Sequence, residues 1–213
     1  MRDVMQLQAG SMQDEDKVVE ALRKAVVEAL PKAADAEKGY ADFDRWPDQQ
    51  TKDHGLGQEF TAALCAHFNI SIKTILPVPR DFDPPDLIAD GSIGIELTEF
   101  VDPEMVRAAA RRKRAGETRD QYRHWEKDEF LARIKEIVLR KDAGTPKTRD
   151  SWDQYWLVIH TDEPELTPEI VESYLRDWSP IISRLLTRCF LLMSYFPSHE
   201  GRPLFEIIVQ KAA

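Results

Sequence analysis

Two cysteines, Cys65 and Cys189, are all that 213 residues contain, and neither lies in a CxxC pair or at a Cys/His spacing that suits zinc. A disulfide framework is thereby excluded, and both thiols are expected to be small buried hydrophobes in a reducing compartment. Long apolar runs are also lacking. The longest, Cys189 to Tyr195 broken only at Ser194, falls far short of the ~20 residues a bilayer helix needs, so no membrane partner is expected. No apolar block follows Met1-Arg2-Asp3, which argues against a secretory signal and for a cytoplasmic protein. With 9 Gly and 13 Pro, the chain has too little of either for a collagen-like or low-complexity protein. Missing too are GxxxxGKS/T, GxGxxG, GxSxG and HExxH, so phosphate-loop, nicotinamide, serine-hydrolase and zinc-protease chemistries have no support. Positive charge is in deficit. The 29 basic and 38 acidic residues leave a net charge of -9, which argues against a protein that coats nucleic acid with its whole surface but not against a local basic patch.

What is present is an ordinary globular composition, 42% hydrophobic and 31% charged, in a chain long enough for one substantial core. Asp14 to Ala34 carries Val18, Val19, Leu22, Val26 and Leu30 at helical spacing. With the polar connection that follows, it predicts an N-terminal helical arm over residues 1–55 and a main domain over 56–213. A second helix is expected over Gln58 to Phe68, with Glu59 in its first turn. The period then changes to two. Ile70 to Leu76, Asp86 to Asp90 and Ile93 to Phe100 read as three strands, and Asp102-Pro103-Glu104 as the start of a helix. A long helix is expected over Tyr122 to Lys141, and the apolar run Tyr155 to His160 reads as a central strand covered on both faces. Thr167 to Trp178 and Ile181 to Leu186 predict two further helices. Cys189 to Phe196 and Leu204 to Val209 predict a last pair of strands. The expected fold class is α/β, a mixed sheet flanked by helices.

Chemistry is concentrated in the hairpin Pro85 to Glu99. If its loop is the three residues Asp90, Gly91 and Ser92, Asp86 faces Glu96 across the ribbon. One face is then Leu87, Ala89, Ile93, Ile95 and Leu97, wholly apolar. The other holds Asp86, Ile88, Gly94, Glu96 and Thr98, with the glycine leaving room above the strand. A two-residue loop would split the acids and break the apolar set. Two carboxylates whose Cβ atoms are ~5 Å apart call for a proton or a cation, and a hard divalent ion is suited to such a pair. The alternative reading makes Asp86 the start of a strand and Glu96 a solvated surface residue.

Pro85-Asp86, nine residues, then Glu96-Leu97-Thr98 resembles the motif of the PD-(D/E)xK nuclease superfamily. The order helix, three-strand meander, helix, strand over roughly Leu56 to Thr161 is similar to that superfamily's αβββαβ core, the restriction-endonuclease-like fold. The resemblance implies metal-dependent hydrolysis of DNA phosphodiesters, with Mg2+ or Mn2+ held by Asp86 and Glu96 and with Glu59 as an auxiliary acid. It also implies nucleic acid, DNA first, as the partner, and a homodimer as one arrangement. The chain departs from the motif at Thr98, where the superfamily has a lysine that positions or activates the attacking water; a hydroxyl cannot supply that charge. Either activity is lost or another lysine reaches in. Lys141, four residues beyond Ile137 on the stripe Phe130, Ile134, Ile137, can lay its stem along the core and present its ammonium to the acids. Migration of the lysine to this helix is a variation of the superfamily. Lys127 extends the stripe at its other end, and Lys141 has the alternative of balancing the helix C-terminus.

Arg107 to Arg123 contains seven basic residues against Glu117 and Asp120. Arg111, Arg112, Lys113 and Arg114 are its centre and the expected grip on a polyanionic backbone, with Tyr122 and Trp125 as stacking candidates or core residues. His160, Asp162 and Glu163 match no zinc or calcium loop and read as a turn. Two readings of other classes stay open: a silent member of the same fold that binds or regulates, and a subunit that docks through residues 14–34.

Overall fold

The computed structural model describes residues 49–78, 84–116, 123–144, 152–193 and 201–212. The expected arm helix Asp14 to Ala34 and Tyr122 lie outside them. The elements are α1 (Gln49–Phe68), β1 (Ile75–Pro77), β2 (Leu87–Ala89), β3 (Ile93–Glu99), α2 (Pro103–Ala115), α3 (Lys127–Ala143), β4 (Gln154–Thr161), α4 (Pro168–Leu175), β5 (Ile181–Ser183), β6 (Arg188–Met193), β7 (Leu204–Ile207) and β8 (Val209–Lys211). Six strands form a mixed sheet in the order β1-β2-β3-β4-β6-β7, and β5 pairs with β8 in a second, two-stranded sheet.

The meander β1-β2-β3 is antiparallel, whereas β4 runs parallel to both its neighbours, β3 and β6. A parallel pair needs a long crossover, and α2 and α3 supply it between β3 and β4. Each face of the sheet has its own core. On one, Leu56, Phe60 and Leu64 of α1 cover Leu87, Ile95, Leu97, Trp156, Val158 and Phe190. On the other, Phe130, Ile134, Ile137 and Val138 of α3 cover Tyr155, Leu157, Ile159, Cys189 and Leu191. Every residue of β4 from Tyr155 to Thr161 is buried, the burial its nearly continuous apolar sequence predicts.

The hairpin has the expected register. Leu87 opposes Ile95 and Ala89 opposes Ile93, so the loop is Asp90, Gly91 and Ser92. Asp90 and Gly91 both take positive φ, 48° and 76°, a conformation glycine adopts freely and aspartate better than most residues. The Asp90 carboxylate then accepts the N–H groups of Lys73 and Thr74, each at 2.9 Å, and pins the chain entering β1 to the turn.

Several expectations are corrected. The α1 helix is already formed at Gln49, ahead of the expected Gln58, and passes unbroken through Gly55, where the arm was expected to end. It stops at Asn69, whose φ of 54° closes the helix with N–H bonds back to Cys65 and, from Ile70, to Leu64. Ile70 and Ile72 pack on the core ahead of a strand that forms only at Ile75–Pro77. Ile181–Ser183 is a strand, not a helix, because β8 offers it a parallel partner. The α4 helix ends at Leu175, short of Trp178, whose indole N–H donates to the Ile208 carbonyl at 3.0 Å. Cys189 is buried as expected, but Cys65 is exposed on α1. No described helix is long and apolar enough to cross a membrane.

Candidate functional site

At the end of the β2-β3 ribbon, a cleft of about 500 Å³ opens between the strand ends and the helices α1, α2 and α3. Asp86 and Thr98 line it from the ribbon, Asp53 and Gln49 from α1, Arg107 from α2, and Arg133, Arg140 and Lys141 from α3. Asp86 sits one step beyond the Leu87–Ile95 pair. Its N–H donates to the Ile95 carbonyl at 3.0 Å, and its Oδ2 accepts the Leu97 N–H at 2.7 Å. Glu96 is buried on the α3 side of the sheet, where Lys141 Nζ donates to its Oε1 at 2.6 Å. Tyr155, from β4, donates its hydroxyl to Oε2 at 3.3 Å.

Of the residues the sequence singles out, Asp86 and Lys141 line the cleft, while Glu96 does not line it and is buried against Lys141 and Tyr155. The space above Gly94 is filled by Tyr155: a Cβ there would lie 3.0 Å from the ring and 3.3 Å from Pro85. Replacing Gly94 by alanine should cost about 1–3 kcal/mol in chemical denaturation, since the new methyl must push aside a buried ring that is held to Glu96 by its hydroxyl. An unchanged midpoint would mean the ring yields freely.

Electrostatics acts strongly on Asp86. Burial is the main cause that pushes the Asp86 carboxyl up to about 6; the Leu97 N–H and Lys141 work against it, and the charges of Glu96 and Asp53 add to it. The Tyr155 hydroxyl is raised far above its usual range by burial and by both carboxylates, so it stays a donor. A surplus of negative charge at Asp86 is what a cation would relieve. The donors present are two carboxylates, with Asp53 close enough to be felt, and Glu96 already carries Lys141 and Tyr155. That set suits an ion such as magnesium that keeps most of its waters, rather than one needing a full protein cage. Among the described residues, no group of three or more His, Cys, Asp or Glu side chains is arranged to hold a metal.

Glu59 is not at the cleft. It lies on α1 with its carboxylate 2.6 Å from Arg202 and 40% exposed. The acid of α1 that reaches the site is Asp53, which sequence reasoning missed although a signal existed: stepping back three residues along the buried stripe from Leu56 lands on it. Arg111, Arg112 and Arg114 stand on α2 away from the cleft lining, and the Lys113 side chain lies outside the described residues. Lys127 pairs with Asp177. Trp125 closes a core, its ring centroid 4.6 Å from that of Phe100 and covered by the Arg123 guanidinium. His160 is buried near the end of β4 with Nε2 at 3.1 Å from Asp162, and neither it nor Asp162 or Glu163 lines the cleft.

In comparison with known proteins, no family model, no curated protein and no solved structure matches the chain. The coordinates by themselves define a mixed α/β protein with a six-stranded sheet flanked by helices.

Proposed function

We propose that the protein is a metal-dependent nuclease related to the PD-(D/E)xK superfamily, hydrolysing phosphodiester bonds of nucleic acid, DNA in the first instance, at the cleft of Asp86, Glu96 and Lys141. One observation carries this reading: two carboxylates from opposite arms of a ribbon and a lysine from the crossover helix meet at one place, with Lys141 Nζ 2.6 Å from Glu96. The element order supports it as well, since α1, the β1-β2-β3 meander, the α2-α3 crossover and parallel β4 follow the αβββαβ sequence of that core. Lys141 replaces the charge that Thr98 lacks.

Asp86 and Glu96 would hold Mg2+ or Mn2+, which supplies Lewis-acid stabilisation of the phosphate oxygens and a more acidic water. The chain's own residues do the rest. Lys141 places a positive charge beside the reacting phosphate, where negative charge builds up in the transition state. Tyr155 holds Glu96 by a hydroxyl that stays protonated, and the Leu97 N–H fixes Asp86. The water oxygen, giving up one proton to solvent, forms the new bond to phosphorus in line with the ester P–O bond that breaks, and the departing alkoxide takes a proton from solvent.

The test is cleavage of labelled single-stranded and duplex DNA and of RNA in manganese. The parent is expected to cut at least one of them. Glu96→Gln should lose at least 100-fold and Lys141→Met roughly 100-fold, with both variants folded. A parent that leaves all three substrates intact ends the nuclease reading. A silent, binding version of the fold is favoured by the extent to which Glu96 is already satisfied by Lys141 and Tyr155. Thermal stability separates the two: an active site should gain roughly 2–3 kcal/mol at manganese 100-fold above its dissociation constant, and a silent one nothing.

A further inference from the structure

The cations of the cleft all come from one side. Arg107 stands at the start of α2, and Arg133, Arg140 and Lys141 stand on α3, opposite the acids of α1 and the strand ends. Lys141 is occupied by Glu96. Arg107 and Arg133 are not matched in the same way, and Arg140 lines the same wall. Arg107 Nε donates to the Pro103 carbonyl at 3.1 Å within its own helix. Arg133 is only 11% exposed, yet among the described residues its salt bridge is to Glu136, one turn on and 61% exposed, at 2.8 Å. Its Nε is buried and, among the described residues, has no hydrogen-bond partner. An unmatched buried N–H is costly, and a guanidinium so placed is suited to an anion that enters the cleft.

Resting on the nuclease reading of the same site, we propose that Arg133, with Arg140 and Arg107, binds successive phosphates of the nucleic-acid strand, and that this wall, not the run Arg111 to Arg114, is the principal backbone grip. The spacing decides between one phosphate and several. Arg133 and Arg140 are seven residues apart, two helical turns on one face, so their Cα atoms are about 10 Å apart along α3. That is too far for one phosphate to be shared without strain, and it suits a chain of them. Planar guanidinium groups also match phosphate oxygens two at a time, which suits each of these arginines to one phosphate. Arg111 and Arg114 are exposed on α2 and do not line this cleft. Their charge adds to the general attraction without fixing the strand over Asp86.

Binding can be separated from cutting. Fluorescence anisotropy with a labelled 20-nucleotide single strand and the matching duplex, in EDTA at 50 mM salt, reads affinity in the absence of hydrolysis. Arg133→Gln and Arg140→Gln are each expected to weaken binding at least fivefold and to lower the slope of log affinity against log salt by about one. The triple change Arg111→Gln, Arg112→Gln, Arg114→Gln should cost less than either. Arg133→Lys should recover only part of the loss, and Glu136→Gln, which releases Arg133, should not weaken binding. Melting temperatures within about 2 °C of the parent keep a folding defect from passing as lost contact. The proposal is overturned if the parent binds neither oligonucleotide, if the triple change outweighs Arg133→Gln, or if inorganic phosphate competes as well, phosphate for phosphate, as the oligonucleotide. Its failure is distinguishable from that of the nuclease reading: manganese-dependent cutting lost in Glu96→Gln but untouched in Arg133→Gln removes only the grip, whereas oligonucleotide bound through Arg133 and never cut removes only the hydrolysis.

Discussion

Asp86→Asn is expected to make the protein more stable and, on the proposed function, to abolish metal-dependent cleavage. The sign follows from the raised carboxyl. An acid at about 6 in the folded chain and near 4 in the unfolded one is held protonated by the fold across that interval. Folded protein therefore binds the extra proton, and stability falls as pH rises from about 4 to about 6, then levels off. A shift of about two units corresponds to roughly 3 kcal/mol, and the partial exposure of Asp86 brings the expected gain to about 1–2 kcal/mol. Asparagine is neutral, and its amide oxygen can still accept the Leu97 N–H. In EDTA at pH 7.5 the variant should melt some 3–6 °C above the parent, and the difference should vanish near pH 4. Manganese should reverse the order, raising the parent and leaving the variant unmoved. Parallel melting curves at all pH values would show that the Asp86 carboxylate is better solvated than its surroundings indicate.

Asp142→Ala has the larger cost. Asp142 follows Lys141 in the last turn of α3, and its buried carboxylate receives the Ser183 hydroxyl at 2.5 Å. The N–H groups of Arg184, Leu185 and Leu186 also point at it, the closest being Leu185 at 2.8 Å. Burial works against ionisation here, but the Ser183 hydroxyl and these N–H groups outweigh it and hold the carboxyl below the usual range. Alanine removes the acceptor and leaves several donors dry, and a loss of about 3–5 kcal/mol is expected in urea unfolding. Asparagine, which keeps one oxygen, should fall between. The contribution is present at neutral pH and is lost on acidification through the lowered carboxyl, so the parent and Asp142→Ala curves should converge only at strongly acid pH. A loss under 1 kcal/mol would mean that the turn finds water instead.

Local patterns in the sequence carried much of this architecture. The hairpin could be read because a period of two, Gly91 in the loop and five apolar residues on one face admit a single register. Lys141 could be read because helical spacing from Phe130 reaches it. The errors arise where the partner is distant or the local signal is polar. Ile181-Ile182-Ser183 suits a helix or a strand alone, and only β8, far along the chain, makes it a strand. The start of α1 carries Gln49, Lys52 and His54 with glycines at 55 and 57, which reads as a connection. Tertiary burial of Lys52, Asp53 and Leu56 makes it helix, and with that start misplaced the acid of the site was sought at Glu59 instead of Asp53.

The parallel ladder between β3 and β4 has a consequence for how the site comes into being. Asp86 and Glu96 belong to one short ribbon, whereas Lys141 and Tyr155 lie 45 and 59 residues beyond Glu96. The two acids become neighbours as soon as the ribbon closes, and their neutralising lysine arrives only when the crossover helix docks. Until then, mutual repulsion opposes the ribbon, so a polypeptide ending at residue 116 should hold its hairpin more firmly in acid than at neutrality. Mixing it with the complementary piece from residue 117 onward would let the return of firmness at neutral pH report the docking event itself.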